Sequence, residues 1–147
     1  MKTNWMLSLP LLAAVACAHA QTAPVTVQGA WARASVQGQP TSGAYMTLTA
    51  RESLTLTGAS TPVAGMADVH EMKMEGDVMR MRPVEGLALS PGKPVALQPG
   101  GYHIMLMNLK TALKPNTSVP LTLMFRDAKG AMSELRLSVP VAVTPPH

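Results

Sequence analysis

A chain of 147 residues with a formal charge of +4, 3% aromatic content and one cysteine holds enough sequence for one compact core and little more. The mild, scattered positive charge forms no basic stripe and has no aromatic platform beside it, which excludes a nucleic-acid partner. The single cysteine, Cys17, excludes a disulfide framework and, in the chain beyond it, a thiolate metal centre.

Residues 1–20 read as a secretory signal peptide. Lys2 gives the positive start, Met6 to Ala16 the apolar run, and Ala18-His19-Ala20 the small-x-small cleavage site. The run is shorter than the roughly 20 residues a spanning helix needs, so no stable membrane insertion is expected. Cys17 offers a competing lipid-attachment reading, disfavoured by Ala14, which stands where such sites usually carry leucine. The mature chain is then residues 21–147, expected as a single β domain of 127 residues (147 − 20) with charge +3 and no cysteine. Export without cysteine fits an oxidising compartment such as the periplasm, where paired thiolates would turn into disulfides and stop being ligands.

From Gln21 onward short apolar runs alternate with Gly and Pro. Val25 to Ser35, Gly43 to Ala50 and Ser53 to Thr57 read as strands by their alternation and their Val, Thr, Tyr and Leu content. Val69 to Met74 and Val78 to Pro83 are two more, joined across Glu75-Gly76-Asp77, a hairpin signal. Pro94 to Gln98 is a short strand bracketed by Pro91-Gly92 and Pro99-Gly100-Gly101, and Tyr102 to Leu109 comes next. Val119 to Arg126 and Glu134 to Val143 close the domain around Asp127-Ala128-Lys129-Gly130. Such regular spacing, with 13 prolines and no sustained helical period, predicts an all-β antiparallel sandwich or barrel.

The chemistry sits among the methionines, of which Met66, Met72, Met74, Met79 and Met81 crowd one short stretch. Methionine is a flexible core filler, and a chain this poor in aromatics uses it as one, so Met46 and Met124 in apolar strands are expected inside and Met66 and Met132 at the surface. A lone histidine is likewise more often structural than a ligand. Here, however, both internal histidines stand within two residues of a methionine of the same strand parity. His103, Met105 and Met107 share one side of their strand, His70, Met72 and Met74 one side of theirs, and Met79 and Met81 one side of the next. Two imidazoles and two thioethers suit monovalent copper, because thioether sulfur prefers a soft cation. Asp68, Glu71, Glu75 and Asp77 read as solvated charges, Glu71 having the opposite parity to His70, so general-base catalysis is not expected.

At these residues the chain resembles the periplasmic copper chaperones of the copper A centre of cytochrome oxidase, the PCu(A)C family. The family motif is His, ten residues, Met, twenty-one residues, His, one residue, Met, and His70, Met81, His103 and Met105 match it without a gap. Val69-His70-Glu71-Met72, Met79-Arg80-Met81-Arg82, Leu97 to Leu106, Ala30-Trp31-Ala32-Arg33-Ala34 and Ala44-Tyr45-Met46 also look like the family. The resemblance implies a cupredoxin-like Greek-key sandwich or barrel with one Cu(I) per chain on those four residues. It implies a metallochaperone without turnover, delivering copper to a cytochrome c oxidase subunit or a thiol-bearing copper assembly factor. A sequestration protein using the same site is the alternative. Met72, Met74, Met79 and Met107 are thioethers surplus to the motif, with Met72, Met79 and Met107 as candidates for an auxiliary role, and Met79 competes with Met81 on parity. The chain stops at Pro145-Pro146-His147, so a copper site on a His- and Met-rich tail is not expected.

Overall fold

The computed structural model describes residues 22–146, and the expected signal peptide, its cleavage site and Cys17 lie outside the described residues. Among the described residues ten strands follow in chain order: β1 (Val25–Arg33), β2 (Thr41–Ala50), β3 (Leu54–Ser60), β4 (Ala64–Glu75), β5 (Val78–Pro83), β6 (Leu87–Leu89), β7 (Val95–Leu97), β8 (Tyr102–Leu109), β9 (Ser118–Asp127) and β10 (Met132–Ala142). Period-two burial explains them. In β9, Val119, Leu121, Leu123 and Phe125 are buried and alternate with more exposed neighbours, and in β8 Ile104 and Leu106 turn inward.

Pairing runs β4–β8–β2–β1–β10–β9–β3 and returns from β3 to β4, so seven strands close into a barrel; β5, β6 and β7 are added outside the ring on β4, β3 and β2. Strands distant in sequence lie side by side, the Greek-key feature, with β8 between β4 and β2. The expected antiparallel all-β barrel is what the chain forms, and it includes one parallel seam, where β1 and β10 pair through Ala32↔Val141 and Arg33↔Ala142. The β3–β4 seam rests on the single pair Ala59↔Ala67. Alanine lines both seams, where closure needs sharp coiling. Inside, Leu48, Val69, Ile104 and Leu106 from one half meet Leu56, Leu89, Leu123 and Phe125 from the other.

Two local features shape the face that carries the histidines and methionines. Gly29 has φ +62° and sits in a bulge where the β1–β2 register shifts between Gln28 and Trp31. The extra residue switches the faces, so that Val25 points inward before the bulge while afterwards Ala32 does, leaving Trp31 beside Tyr45 on the outer face. The β4–β5 hairpin has Gly76 at φ +64° and no positive φ at Asp77, the pattern of a type II′ turn, whose twist matches the flanking strands. Its register is held on one face by Arg82 Nε donating to Glu71 Oε1 at 2.7 Å and by the Arg80–Glu75 ion pair at 3.0 Å.

Candidate metal centre

All the residues singled out by their spacing stand on one outer face of β5, β4 and β8. The pairing registers His70↔His103, Asp68↔Met105 and Met66↔Met107 across β4–β8, and His70↔Pro83, Met72↔Met81 and Met74↔Met79 across β4–β5. Because directly paired residues share a face, His70 looks across at His103 and Met81 lies over Met72. A cleft of about 270 Å³ is lined by Met72, Met81, His103 and Met105 together with Arg33 and Tyr45. Met79 stands one rung outward against Met74, and Met107 is displaced along β8 to face Met66. Met46 is buried as expected, whereas Met124 is only partly buried because it lies on the outer face of β9, over Gly58.

The histidines are held but not satisfied. Their ring centres are 5.9 Å apart. Two imidazoles sharing one ion at a metal–nitrogen distance of ~2.0 Å would have centres about 5–6 Å apart. Gln98-Pro99-Gly100-Gly101 forms a type II turn, with Gly101 N–H donating to Gln98 O at 3.0 Å and Gly100 at φ +86°. Its Gly101 carbonyl accepts from His103 Nδ1 at 3.2 Å and from Met72 N–H at 3.2 Å. With the proton on Nδ1, the His103 lone pair is on Nε2, as in a histidine ligand oriented by its outer hydrogen bond. Yet His103 Nε2 and His70 Nδ1 are buried without a partner. The buried polar residues among the described residues are Ser35, Ser42 and His103. Ser42 Oγ donates to Arg33 O at 2.6 Å and Ser35 Oγ accepts from Leu113 N–H at 2.9 Å, so both serines are satisfied. An unpaired buried nitrogen is unfavourable by about 1–3 kcal/mol, and an ion or a hydrogen-bonding group that met either ring nitrogen would relieve that cost.

An aromatic row backs the pair. Trp31 and Tyr45 have centroids 4.8 Å apart, Tyr45 and His103 6.3 Å, and Arg33 lies 5.6 Å over the Tyr45 ring. Gly43 is required here, since a Cβ would come within 2.6 Å of the Tyr45 hydroxyl; the tyrosine lies down along β2 only over glycine. Asp68, expected with the solvated acids, stands on β4 opposite Met105. By the parity argument that removed Glu71, Asp68 shares the face of His70. Glu71 does point the other way, onto Arg82. Among the described residues no three His, Cys, Asp or Glu side chains gather as a metal-binding group, while the thioethers of Met72, Met81 and Met105 line the cleft with His103.

Burial is the main cause that lowers the His70 pKa below its ordinary 6.5, the neighbouring His103 adds to it, and Asp68 opposes. The folded protein therefore favours neutral His70, the form that can ligate. Between the lowered value and about 6.5 the unfolded chain holds a proton that the folded chain lacks. Stability of the metal-free protein accordingly rises with pH through that window and is lost on acidification. Urea midpoints measured from pH 5 to 8 should show this slope, and His70→Gln should flatten it; an unchanged slope in the variant would assign the effect to another group.

Comparison with known proteins places the chain in a family and a fold. The family model LpqE-like, a lipoprotein family by description, matches residues 25–141. Lxx21020 of Leifsonia xyli subsp. xyli, named as a lipoprotein, is 30% identical over 104 residues, 70% of this chain; the match spans 63% of that relative's own length. Among solved structures, the apo PCuAC domain from PmoF1 superposes with TM-score 0.66 over 86% of this chain and 100% of its own, at 19% identity, a likeness of fold. The solution structure of the Cu(I) form of DR1885 from Deinococcus radiodurans has TM-score 0.59 and 34% identity over 88% of this chain and 84% of its own.

Proposed function

As a member of the LpqE-like, or PCu(A)C, family, this chain is, we propose, an exported Cu(I) chaperone that holds one ion between His70, Met81, His103 and Met105. The observation that carries the reading is the pair of unpartnered buried imidazole nitrogens, His70 Nδ1 and His103 Nε2, beside a cleft lined by thioethers. Hard divalent ions prefer oxygen, and on β4 and β8, among the described residues, Asp68 is the carboxylate that shares this face with the histidines; soft monovalent copper fits the donors present. Neutral ligands leave the ion its own single charge and no strongly held thiolate. Copper can then leave by ligand exchange to a cysteine-bearing acceptor, which an electron-transfer copper site with a fixed thiolate is not built to do.

Residues 1–20 direct export to the periplasm; the lipoprotein names of the family and of the Leifsonia relative support export and speak for the competing lipid attachment at Cys17 rather than for cleavage after Ala20, with residues 21–147 the working domain in either case. The acceptor is the copper A centre of cytochrome c oxidase or a thiol-bearing assembly factor for it. The test loads the mature protein with one Cu(I) against a competing chelator and presents it to a soluble copper A fragment. Copper should pass to the fragment. Retention by this chain at equilibrium would overturn delivery in favour of storage.

Met81 and Met79 make a sharper comparison. Met81→Leu conserves volume and costs less than about 1.5 kcal/mol of stability, yet removes a cleft-lining sulfur, so the affinity for the first Cu(I) should fall. Met79→Leu, one rung out, should leave that affinity unchanged in the same chelator competition. The reverse result would move the site to the outer rung.

A further inference from the structure

The outer rung has properties of its own. Met74 and Met79 are directly paired across β4–β5 and are 55% and 49% exposed. Neither joins the core: β5 is exposed along its whole length, and Met74 lies in the exposed last three residues of β4. The hairpin is a two-faced ribbon. One face carries the Glu71–Arg82 and Glu75–Arg80 ion pairs, while the other carries the methionine pairs Met72–Met81 and Met74–Met79. Contiguous apolar side chains on an exposed edge strand invite association and are normally broken by charge. Beside these two rungs the charges Glu71, Lys73, Glu75, Arg80 and Arg82 lie on the opposite face, and the apolar residues facing solvent on the rungs are all of the type that can ligate a soft cation.

We infer that the Met74–Met79 rung is a second, weaker binding site for a soft monovalent cation, one step outside the histidine-containing cleft. Successive rungs on one face are about 6.7 Å apart along the strands. An ion on Met74 and Met79 is therefore within reach of the flexible Met72 and Met81 side chains, which can take it inward by exchanging one thioether for another. No proton is released and the metal keeps its oxidation state, since the ligands are neutral before and after. Two exposed thioethers without an imidazole bind more weakly than the inner set, so the site fills second at equilibrium. That the inner site fills first rests on the function proposed above; the existence of the outer site does not.

Silver(I), a redox-inert soft cation, serves as the probe, with methionine-methyl 13C NMR of the mature protein as the readout. The first equivalent should move the Met81 and Met105 methyls. The second should move those of Met74 and Met79, with at least tenfold weaker affinity. In the Met74→Leu/Met79→Leu double variant the second event should be lost and the first retained; both positions are exposed and leucine preserves their volume, so the fold is kept. The inference is overturned if the Met74 and Met79 methyls stay in place up to three equivalents, or if the double variant takes the second equivalent as tightly as the parent. A first equivalent that bypasses Met81 and Met105 would instead defeat the inner assignment, leaving the outer rung to be judged by its own methyls.

Discussion

Replacing His103 with alanine is expected to weaken Cu(I) binding by more than about 100-fold, the upper end of what loss of a mere hydrogen-bond partner of a ligand produces. Fold stability should suffer much less. His103 is 4% exposed and its Nε2 has no partner, so truncation opens a cavity but also removes an unpaired buried nitrogen, and the two effects oppose each other. Gly101 O keeps the Met72 N–H as a donor, which holds the turn. Thermal unfolding with and without metal separates the two outcomes. A ligand at 100 times its Kd stabilises by about 2.7 kcal/mol. The parent should show a copper-dependent rise in Tm and the variant none, while their metal-free Tm values stay close. An affinity within threefold of the parent would mean that His103 is buried for structural reasons alone.

The complementary result is expected from Phe125→Ala. Phe125 heads the fully buried side chains, with no exposed surface, and sits on β9, in the part of the ring away from β4, β5 and β8. Removing a buried phenylalanine costs about 3–5 kcal/mol, a large share of the 5–15 kcal/mol typical of a domain. The urea midpoint should drop accordingly, while Cu(I) affinity of the folded protein stays within about threefold, because Phe125 is not among the residues that line the cleft. Parallel loss of affinity and stability would show that the site depends on the whole core and not on its local turn and hairpin.

Strand parity explains why so much of this face was legible from the sequence. His103 and Met105 fall on the side opposite Ile104 and Leu106, and those two are fully buried, so the alternation that builds the core also turns the donors outward. Long-range pairing was not legible. The first residues of β4, with Gly65 and Asp68, look like a loop, and they are strand because β8 pairs with them through Asp68↔Met105 and Met66↔Met107. β6 is three residues long and exists through its pairing with β3. The Gly29 bulge switches β1 from one face to the other, a change that simple alternation from Val25 to Ser35 cannot contain, and for that reason the Trp31–Tyr45–His103–His70 row was invisible. The choice between Met79 and Met81 was open for the same reason: their parity is identical, and only the hairpin register, pinned by Glu71 with Arg82, sets Met81 rather than Met79 beside the cleft.

Copper K-edge X-ray absorption on the one-to-one Cu(I) complex of the mature protein tests the central claim most directly. Two imidazoles and two thioethers predict nitrogen neighbours at about 2.0 Å and sulfur neighbours at about 2.3 Å, by analogy with the borderline metal zinc, the sulfur shell shrinking by one neighbour in Met81→Leu and in Met105→Leu. A spectrum with only nitrogen and oxygen neighbours, unchanged in both variants, would contradict it.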